Sequence, residues 1–222
     1  MITDRSEGSE PEDESIWHYR QFPEFLSILQ NQALWFSRLD CLKDPFEGRY
    51  QRSFKSNFRA KQEYFNRLGV VSCWTIDDDE SELMWYAYAP HFGVAIKSTK
   101  AKLKESLKLC EDDCEDDIVI DTVKYEVPSQ PSALPYTILF SKRRHFKGER
   151  ELRIAIPYIP YEYNYTHAKR VEPPNDGKLV KVMLTALIGE IWVAPNSSSW
   201  FKNMVEKELE KYGYESIPVK IR

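Results

Sequence analysis

Glu149-Arg150-Glu151-Leu152-Arg153-Ile154-Ala155-Ile156 is a stretch in which charged and apolar side chains alternate. Successive residues of a β-strand point to opposite faces of its sheet, so the alternation predicts a strand with Leu152, Ile154 and Ile156 on the buried face. The opposite face then carries two carboxylates and a guanidinium, those of Glu149, Glu151 and Arg153. We expect these three charged groups to lie close together.

The segments on both sides of this stretch predict more strands than helices. Strand patterns occur at 16–20, 34–36, 70–76, 93–97, 118–127, 178–187, 190–194 and 217–221. Helical spacing of apolar residues, or a capping residue before an apolar run, indicates helices at 23–32, 49–68, 80–89, 98–109, 136–146 and 200–212. Because strands and helices do not alternate regularly, the pattern argues against a doubly wound parallel sheet. The predicted class is α+β, with mixed, mainly antiparallel central sheets and flanking helices.

The composition predicts one folded unit preceded by a short tail. The chain has 222 residues, of which 42% are hydrophobic and 14% aromatic, and this is enough to build a sizeable core. Residues 1–14 are acidic and lack apolar periodicity. We therefore expect a disordered acidic tail over 1–14 and a single α+β domain over 15–222.

Several classes of function have no support in the sequence. The net charge of −4 gives no overall attraction to nucleic acid or to an anionic membrane. The sequence shows no signal pattern and no apolar run that would span a bilayer, which predicts a cytoplasmic protein without a membrane partner. The four cysteines form no CxxC pair and the four histidines form no HxH or HxxxH pair, so we predict no metal site. Gly-rich phosphate loops and the GxSxG nucleophile motif are also missing.

Three blocks of sequence, in this order, resemble one bacterial family. The first combines His18-Tyr19-Arg20 with Leu34-Trp35-Phe36-Ser37 and Asp44-Pro45-Phe46-Glu47. The second combines Ser72-Cys73-Trp74 with Glu80-Ser81-Glu82-Leu83-Met84-Trp85 and Gly93-Val94-Ala95-Ile96, and the third combines Lys142-Arg143-Arg144 with Glu149-Arg150-Glu151-Leu152-Arg153. Together they span residues 16–157 and resemble the pattern of the family called domain of unknown function 2971.

A second resemblance is to ADP-ribosyltransferases. Those enzymes begin with a strand bearing a His or Arg that holds NAD, continue with a helix and a strand, and carry a Glu, often as Glu-x-Glu, at the start of a later strand. His18 and Arg20, the helix at 23–32 and Glu149-x-Glu151 occur in the same order here, and Ser72 partly resembles the Ser of the family's middle motif. The resemblance implies an ADP-ribosyltransferase-like fold and NAD as a substrate. It also implies an enzyme that modifies an unknown protein or nucleic-acid acceptor, as a toxin or phage-defence effector does.

The candidate residues carry chemistry suited to such a reaction. Glu151 is the predicted catalytic carboxylate, because a negative charge stabilises the oxocarbenium-like centre formed when the nicotinamide–ribose bond breaks. Glu149 would orient or deprotonate the nucleophile. For the nucleotide ligand, Arg20 would clamp a phosphate and His18 would hydrogen-bond a ribose hydroxyl. The predicted NAD-binding set is completed by Ser72, Trp74 and Arg153, with the Trp74 ring as a stacking surface.

Other interpretations of the same residues stay open. A Glu-x-Glu-x-Arg strand face is also typical of a row of solvent-exposed charges. Arg20 could instead form a structural ion pair with Asp44 or Glu47. Trp74 could simply belong to the core. Two basic segments, 49–68 and 142–147, fit contact with a pyrophosphate or with RNA. The alternatives to catalysis are therefore a non-catalytic ligand- or partner-binding module of the same fold and an effector that acts on nucleic acid.

Overall fold

The computed structural model describes residues 1–6, 12–48, 67, 69–111, 116–127, 136–157 and 174–221. The helix predicted at 49–68 falls almost wholly outside these residues. Within the described part of the chain, ten strands form one sheet that is flanked by six α-helices.

The strands form a mixed sheet in which most neighbours are antiparallel. They are β1 (Ile2–Asp4), β2 (Ser15–Gln21), β3 (Ala33–Arg38), β4 (Gly69–Ile76), β5 (Gly93–Thr99), β6 (Ile118–Thr122), β7 (Glu151–Pro157), β8 (Gly177–Lys181), β9 (Glu190–Val193) and β10 (Val219–Ile221). Their order is β1-β6-β7-β4-β2-β5-β9-β10, and β3 branches from β4 and pairs with β8. Only β1–β6 and β9–β10 are parallel among these pairs. The predicted α+β class, with a mixed, mainly antiparallel sheet and flanking helices, is confirmed.

The helices follow local signals at most positions. They are α1 (Phe22–Asn31), α2 (Glu82–Tyr88), α3 (Lys100–Lys108), α4 (Tyr136–Leu139), α5 (Leu184–Leu187) and α6 (Ser199–Lys211), with 3-10 turns at Leu39–Cys41 and Arg144–Glu149. Pro23 occupies the first turn of α1, and the Thr99 hydroxyl caps α3 by accepting the Lys102 N–H at 3.2 Å. No helix in the described residues is long and apolar enough to cross a membrane.

Three of the predicted elements are wrong in extent. The strand predicted at 118–127 ends at Thr122. The helix predicted at 136–146 ends at Leu139, and the chain continues into the 3-10 turn at Arg144–Glu149. The strand predicted at 178–187 ends at Lys181, and its last four residues form α5 instead. A short apolar run fits a buried helix as well as a strand, and its packing under the sheet decides between them.

The sheet is covered by apolar side chains on both faces. The larger core includes the predicted buried face of β7, Leu152, Ile154 and Ile156, and packs under α1, α3, α5 and α6. On the opposite face lie two smaller clusters, one formed around Val71 with α4 and the other around Trp17 with α2. By alternation, this second face also carries Glu151 and Arg153 of β7.

The N-terminal residues form a strand, so the prediction of a disordered tail is wrong for them. Ile2–Asp4 pair with β6, and the Asp4 carboxylate lies 3.3 Å from the Lys100 ammonium and 3.1 Å from that of Lys104. The Lys100 side chain is only 2% exposed, so Asp4 supplies its buried counter-charge. The acidic composition concealed this strand because its stability comes from edge pairing and ion pairs rather than from apolar periodicity. Residues 7–11 of the predicted tail lie outside the described residues.

Candidate active site

The site begins where two neighbouring strands separate. β2 pairs with β4 only at Ile16–Ile76 and Trp17–Thr75, whereas it pairs with β5 along its whole length. β3 pairs with the opposite end of β4. Residues 72–74 of β4 therefore have β7 on one side and, among the described strands, no ladder partner on the other. The sheet opens at this point.

His18 bridges the opening. Its Nδ1 lies 2.9 Å from the Cys73 carbonyl oxygen, and its ring stacks on Trp74 with 4.5 Å between the ring centroids. Because a carbonyl only accepts hydrogen bonds, Nδ1 carries the hydrogen, and Nε2 is left to accept from the Arg20 Nε at 2.8 Å. Burial and the charge of Arg20 hold the pKa of His18 well below its usual value, which keeps the ring neutral.

Arg20 extends from this neutral ring to a cavity of about 490 Å³. Its Nε is engaged by His18, while its two terminal nitrogens make no hydrogen bond within the part of the chain that the structure describes. The alternative of a structural pair with Asp44 or Glu47 is wrong, because those carboxylates bind other cations. Arg20 thus presents two donor groups to the cavity.

Three carboxylates meet at another part of the same cavity. The Lys142 ammonium lies 3.0 Å from Glu151 Oε2, 2.5 Å from Glu149 Oε2 and 3.3 Å from Glu47 Oε1. Behind them, Arg153 donates to Glu151 Oε1 at 2.5 Å and to Glu47 Oε1 at 3.0 Å. Three carboxylates therefore share two cations, and we call these five residues the carboxylate cluster. Among the described residues, no group of His, Cys, Asp and Glu side chains is arranged to hold a metal ion.

Burial and ion pairing set the charge states of this cluster. Burial acts to raise the pKa of Glu151, but Arg153 and Lys142 outweigh it and lower the pKa to about 2. Glu151 is therefore ionised at neutral pH. The alternative of a row of solvent-exposed charges is wrong for this strand face, since Glu151 is 4% exposed and Arg153 is fully buried.

Glu149 reaches the cluster from outside the strand. The sequence pattern placed it on the same strand face as Glu151, but it ends the 3-10 turn at Arg144–Glu149, and Arg150 follows with a left-handed φ of 42°. This turn in the chain brings both carboxylates to the same ammonium. The Tyr88 hydroxyl donates to Glu149 Oε1 at 2.8 Å and fixes the second oxygen.

The structure brings together some of the predicted site residues and separates others. The cavity is lined by Glu149, Glu151, Arg20 and Trp74. His18, Ser72 and Arg153 are buried and do not line it, and their contact with a ligand stays a prediction. Along β4, Val71, Cys73 and Thr75 alternate onto one side and line the cavity, whereas Ser72 is buried on the other side. Trp74 shares that side with Ser72 but still lines the cavity, at the point where β2 and β4 separate. His18 and Arg153 act through the residues that they hold.

Sequence analysis missed several cavity residues, among them Glu47, Lys142, Cys73 and Tyr88. Cys73 could have been found, because it alternates with Ser72. Lys142 carried no such signal, since it belongs to a basic run that resembles a surface patch. That run is not a single patch, because Lys142 binds the carboxylates and Arg143 pairs with Asp44 at 2.7 and 3.0 Å.

The chain matches no protein-family model and no curated protein. Two solved structures are similar to it. Thermus sp. 2.9 DarT in complex with ADP-ribosylated ssDNA is 14% identical with a TM-score of 0.45, over 96% of this chain and 95% of that chain. Thermus sp. 2.9 DarT in complex with carba-NAD+ is 14% identical with a TM-score of 0.42, over 96% and 97%. A similarity this distant does not transfer an activity, so the function must be inferred from the cavity itself.

Proposed function

We propose that the cavity binds NAD as a substrate and that the protein is an ADP-ribosyltransferase-like enzyme. One observation carries this proposal: an ionised carboxylate, Glu151, and a guanidinium with two unengaged nitrogens, Arg20, line the same cavity. A dinucleotide offers a pyrophosphate to the guanidinium and a ribose–nicotinamide bond to the carboxylates. The cavity volume of about 490 Å³ lies in the range of small-molecule sites.

The spacing of these two groups suits an extended ligand. Trp17, Thr75 and Glu151 lie in one row across β2, β4 and β7. Arg20 is three residues further along β2 than Trp17, about 10 Å along the strand, and lies beyond the point where β2 and β4 separate. A ligand that reaches both must carry two separate polar groups.

The carboxylates fit the reaction as follows. The bond between ribose C1′ and the nicotinamide nitrogen breaks, its electron pair stays on the nitrogen, and nicotinamide leaves as a neutral molecule. Glu151 stabilises the positive charge that develops at C1′. The acceptor's nucleophilic atom forms the new bond to C1′, and Glu149, held by Tyr88 and Lys142, takes the acceptor's proton.

A second candidate function is supported by the ion pairs themselves. Both oxygens of Glu151 are engaged, one by Arg153 and the other by Lys142. These cations compensate part of its charge and weaken its action on a neighbouring positive centre. This observation favours a non-catalytic ligand-binding module built on the same cavity.

Nicotinamide release separates the two candidates. Purified protein is incubated with NAD, and free nicotinamide is followed by chromatography, with water or a lysate as the source of acceptor. We expect Glu151→Gln to lower the rate by about a hundredfold or more and to leave the affinity for a non-hydrolysable NAD analogue nearly unchanged. Glu190→Gln, which removes a carboxylate paired with Lys220 away from the cavity, is the matched control. Binding without release by the wild type supports the module, and absence of binding overturns both.

The acceptor and the biological role belong to the same proposal. We propose a protein or nucleic-acid acceptor, a cytoplasmic location, a role as a toxin or phage-defence effector, and membership of the family called domain of unknown function 2971. Transfer of labelled ADP-ribose to a lysate, followed by protease or nuclease digestion, identifies the acceptor. Label that resists both digestions contradicts this part of the proposal.

A further inference from the structure

We infer that Glu47 is a specificity-determining residue, and that it makes the cavity prefer a cationic aromatic ring over a neutral ring of the same shape. For an NAD site, the preferred ring is the pyridinium of oxidised nicotinamide. The identity of this ligand rests on the proposed function. The charge preference depends on contacts that exist whether or not a bond is cleaved.

Glu47 has an unused acceptor. Its side chain is 1% exposed and is held through Oε1, which accepts from Arg153 at 3.0 Å and lies 3.3 Å from the Lys142 ammonium. Its Oε2 is buried and makes no hydrogen bond among the described residues. A buried carboxylate oxygen without a partner is unfavourable, so a ligand that brings a positive charge close to it stabilises the site.

The surrounding cations leave one negative charge uncompensated. Glu47, Glu149 and Glu151 share only Lys142 and Arg153. Burial raises the pKa of Glu47 from its usual value, even though Arg153 and Lys142 act in the opposite direction. The pKa rises because burial outweighs these two cations, which makes the charged form of Glu47 less favourable than it is in water.

Among the described residues, the other cations that line the cavity do not pair with Glu47. Arg143 is paired with Asp44 at 2.7 Å, and Lys43 donates to the Ala87 carbonyl at 2.6 Å. Arg20 is held through its Nε by His18 at the opening of the sheet. The missing charge is therefore best supplied by a bound molecule.

Aromatic rings in the same cavity already take cations on their faces. The Lys43 ammonium lies 4.6 Å from the Tyr88 ring centroid, and the Lys97 ammonium lies 4.9 Å from that of Trp17. The faces of these electron-rich rings attract positive charge. These two faces are taken by the lysines, so a flat cationic ring gains from the unpaired carboxylate of Glu47, whereas a neutral ring does not.

The test compares 1-methylnicotinamide, which is a cation, with nicotinamide, which is neutral. Their dissociation constants are measured by NMR titration of the purified full chain. We expect the wild type to bind the cation more tightly by on the order of tenfold. Glu47→Gln should bring the ratio close to one while the affinity for nicotinamide stays unchanged, and the remote Glu190→Gln should keep the wild-type ratio. A wild-type ratio near one, or no binding of the cation at millimolar concentration, overturns the inference.

A second measurement does not depend on the folding of the variant. A cation bound beside Glu47 lowers its raised pKa, so binding of 1-methylnicotinamide at mildly acidic pH should release protons. Calorimetric titration of the wild type in two buffers of different ionisation enthalpy measures this release, and proton uptake or no change contradicts it. A cation preference without nicotinamide release from NAD would overturn catalysis alone. Nicotinamide release without a cation preference would overturn only the role of Glu47.

Discussion

The two charged sides of the cavity are built in different ways. In the carboxylate cluster, each oxygen except Glu47 Oε2 is held by a cation or a hydroxyl, and the cations are themselves buried. On the other side, the Arg20 Nε donates to the neutral ring of His18, and the two terminal nitrogens of Arg20 make no hydrogen bond among the described residues. The difference indicates a division of labour, in which the carboxylate cluster contributes to folding and holds a fixed negative charge. We expect Arg20 to contribute little to folding and propose that it binds the ligand.

The largest effect should come from removing the buried arginine. Arg153→Met leaves Glu151 and Glu47 buried with one cation instead of two, which should cost about 3–5 kcal/mol in the free energy of unfolding. Arg20→Met is the matched control, and it should cost much less while abolishing most of the affinity for NAD. Urea unfolding and calorimetric titration measure the two effects. Equal losses of stability in the two variants would contradict the division of labour.

Acid should weaken the carboxylate cluster through Glu151. Burial acts to raise its pKa, but Arg153 and Lys142 lower it from the ordinary 4.5 to about 2. The folded state then binds fewer protons than the unfolded state between these values, so stability that is present above pH 4.5 is lost as the pH falls towards 2. The loss should amount to about 3 kcal/mol. Unfolding free energies measured across this window should fall in the wild type and fall less in Glu151→Gln. Parallel curves would show that Glu151 is not the titrating group.

The buried ion pair of Asp4 and Lys100 tests whether a loss of stability away from the cavity lowers the affinity for NAD. Asp4→Asn keeps the shape of the side chain but removes the negative charge beside the buried Lys100, and it should cost about 2 kcal/mol. Neither residue lines the cavity, so the affinity for NAD should stay the same. Thermal unfolding and NAD titration give the two readouts. A weakened affinity would mean that stability and binding are coupled throughout the sheet.

The smallest effect concerns the histidine that orients Arg20. His18→Leu removes the acceptor for the Arg20 Nε and should lower the affinity for NAD about fivefold, which corresponds to about 1 kcal/mol. The affinity for 1-methylnicotinamide, which has no phosphate, should not change. Equal losses for both ligands would point to a structural role of His18 rather than to positioning of Arg20.

Much of the fold could be predicted because its signals are local. Alternation over 150–156 assigned the buried face of β7 correctly, and Pro23 together with apolar spacing predicted α1 within one residue at each end. Predictions failed where the stabilising contact was distant in sequence. β1 depends on pairing with β6, and α5 depends on its packing beneath the sheet.

Predictions for the candidate site also succeeded where the signal was local and failed where it depended on distant contacts. Its residue types were visible in the sequence, and Glu151 and Arg20 do line one cavity. Ser72 was assigned to it by resemblance, yet the alternation of β4 places Ser72 on the core side and Cys73 on the cavity side. Trp74 has the same parity as Ser72 and yet lines the cavity, so parity alone does not decide the lining, and only the assembled sheet shows where the strands separate.

The sequence by itself determined which side chains of β7 are apolar and which are charged, and therefore which face of that strand joins the larger core. Only the tertiary structure decided that the charged face is also buried. It also decided that Glu47, which is 106 residues from Arg153 in the sequence, shares this arginine with Glu151. It also decided that β2 and β4 separate beyond Trp17, which opens the cavity beside Arg20. The physical reason is that alternation is a property of neighbouring residues, whereas charge compensation and strand separation arise from contacts between residues far apart in the chain.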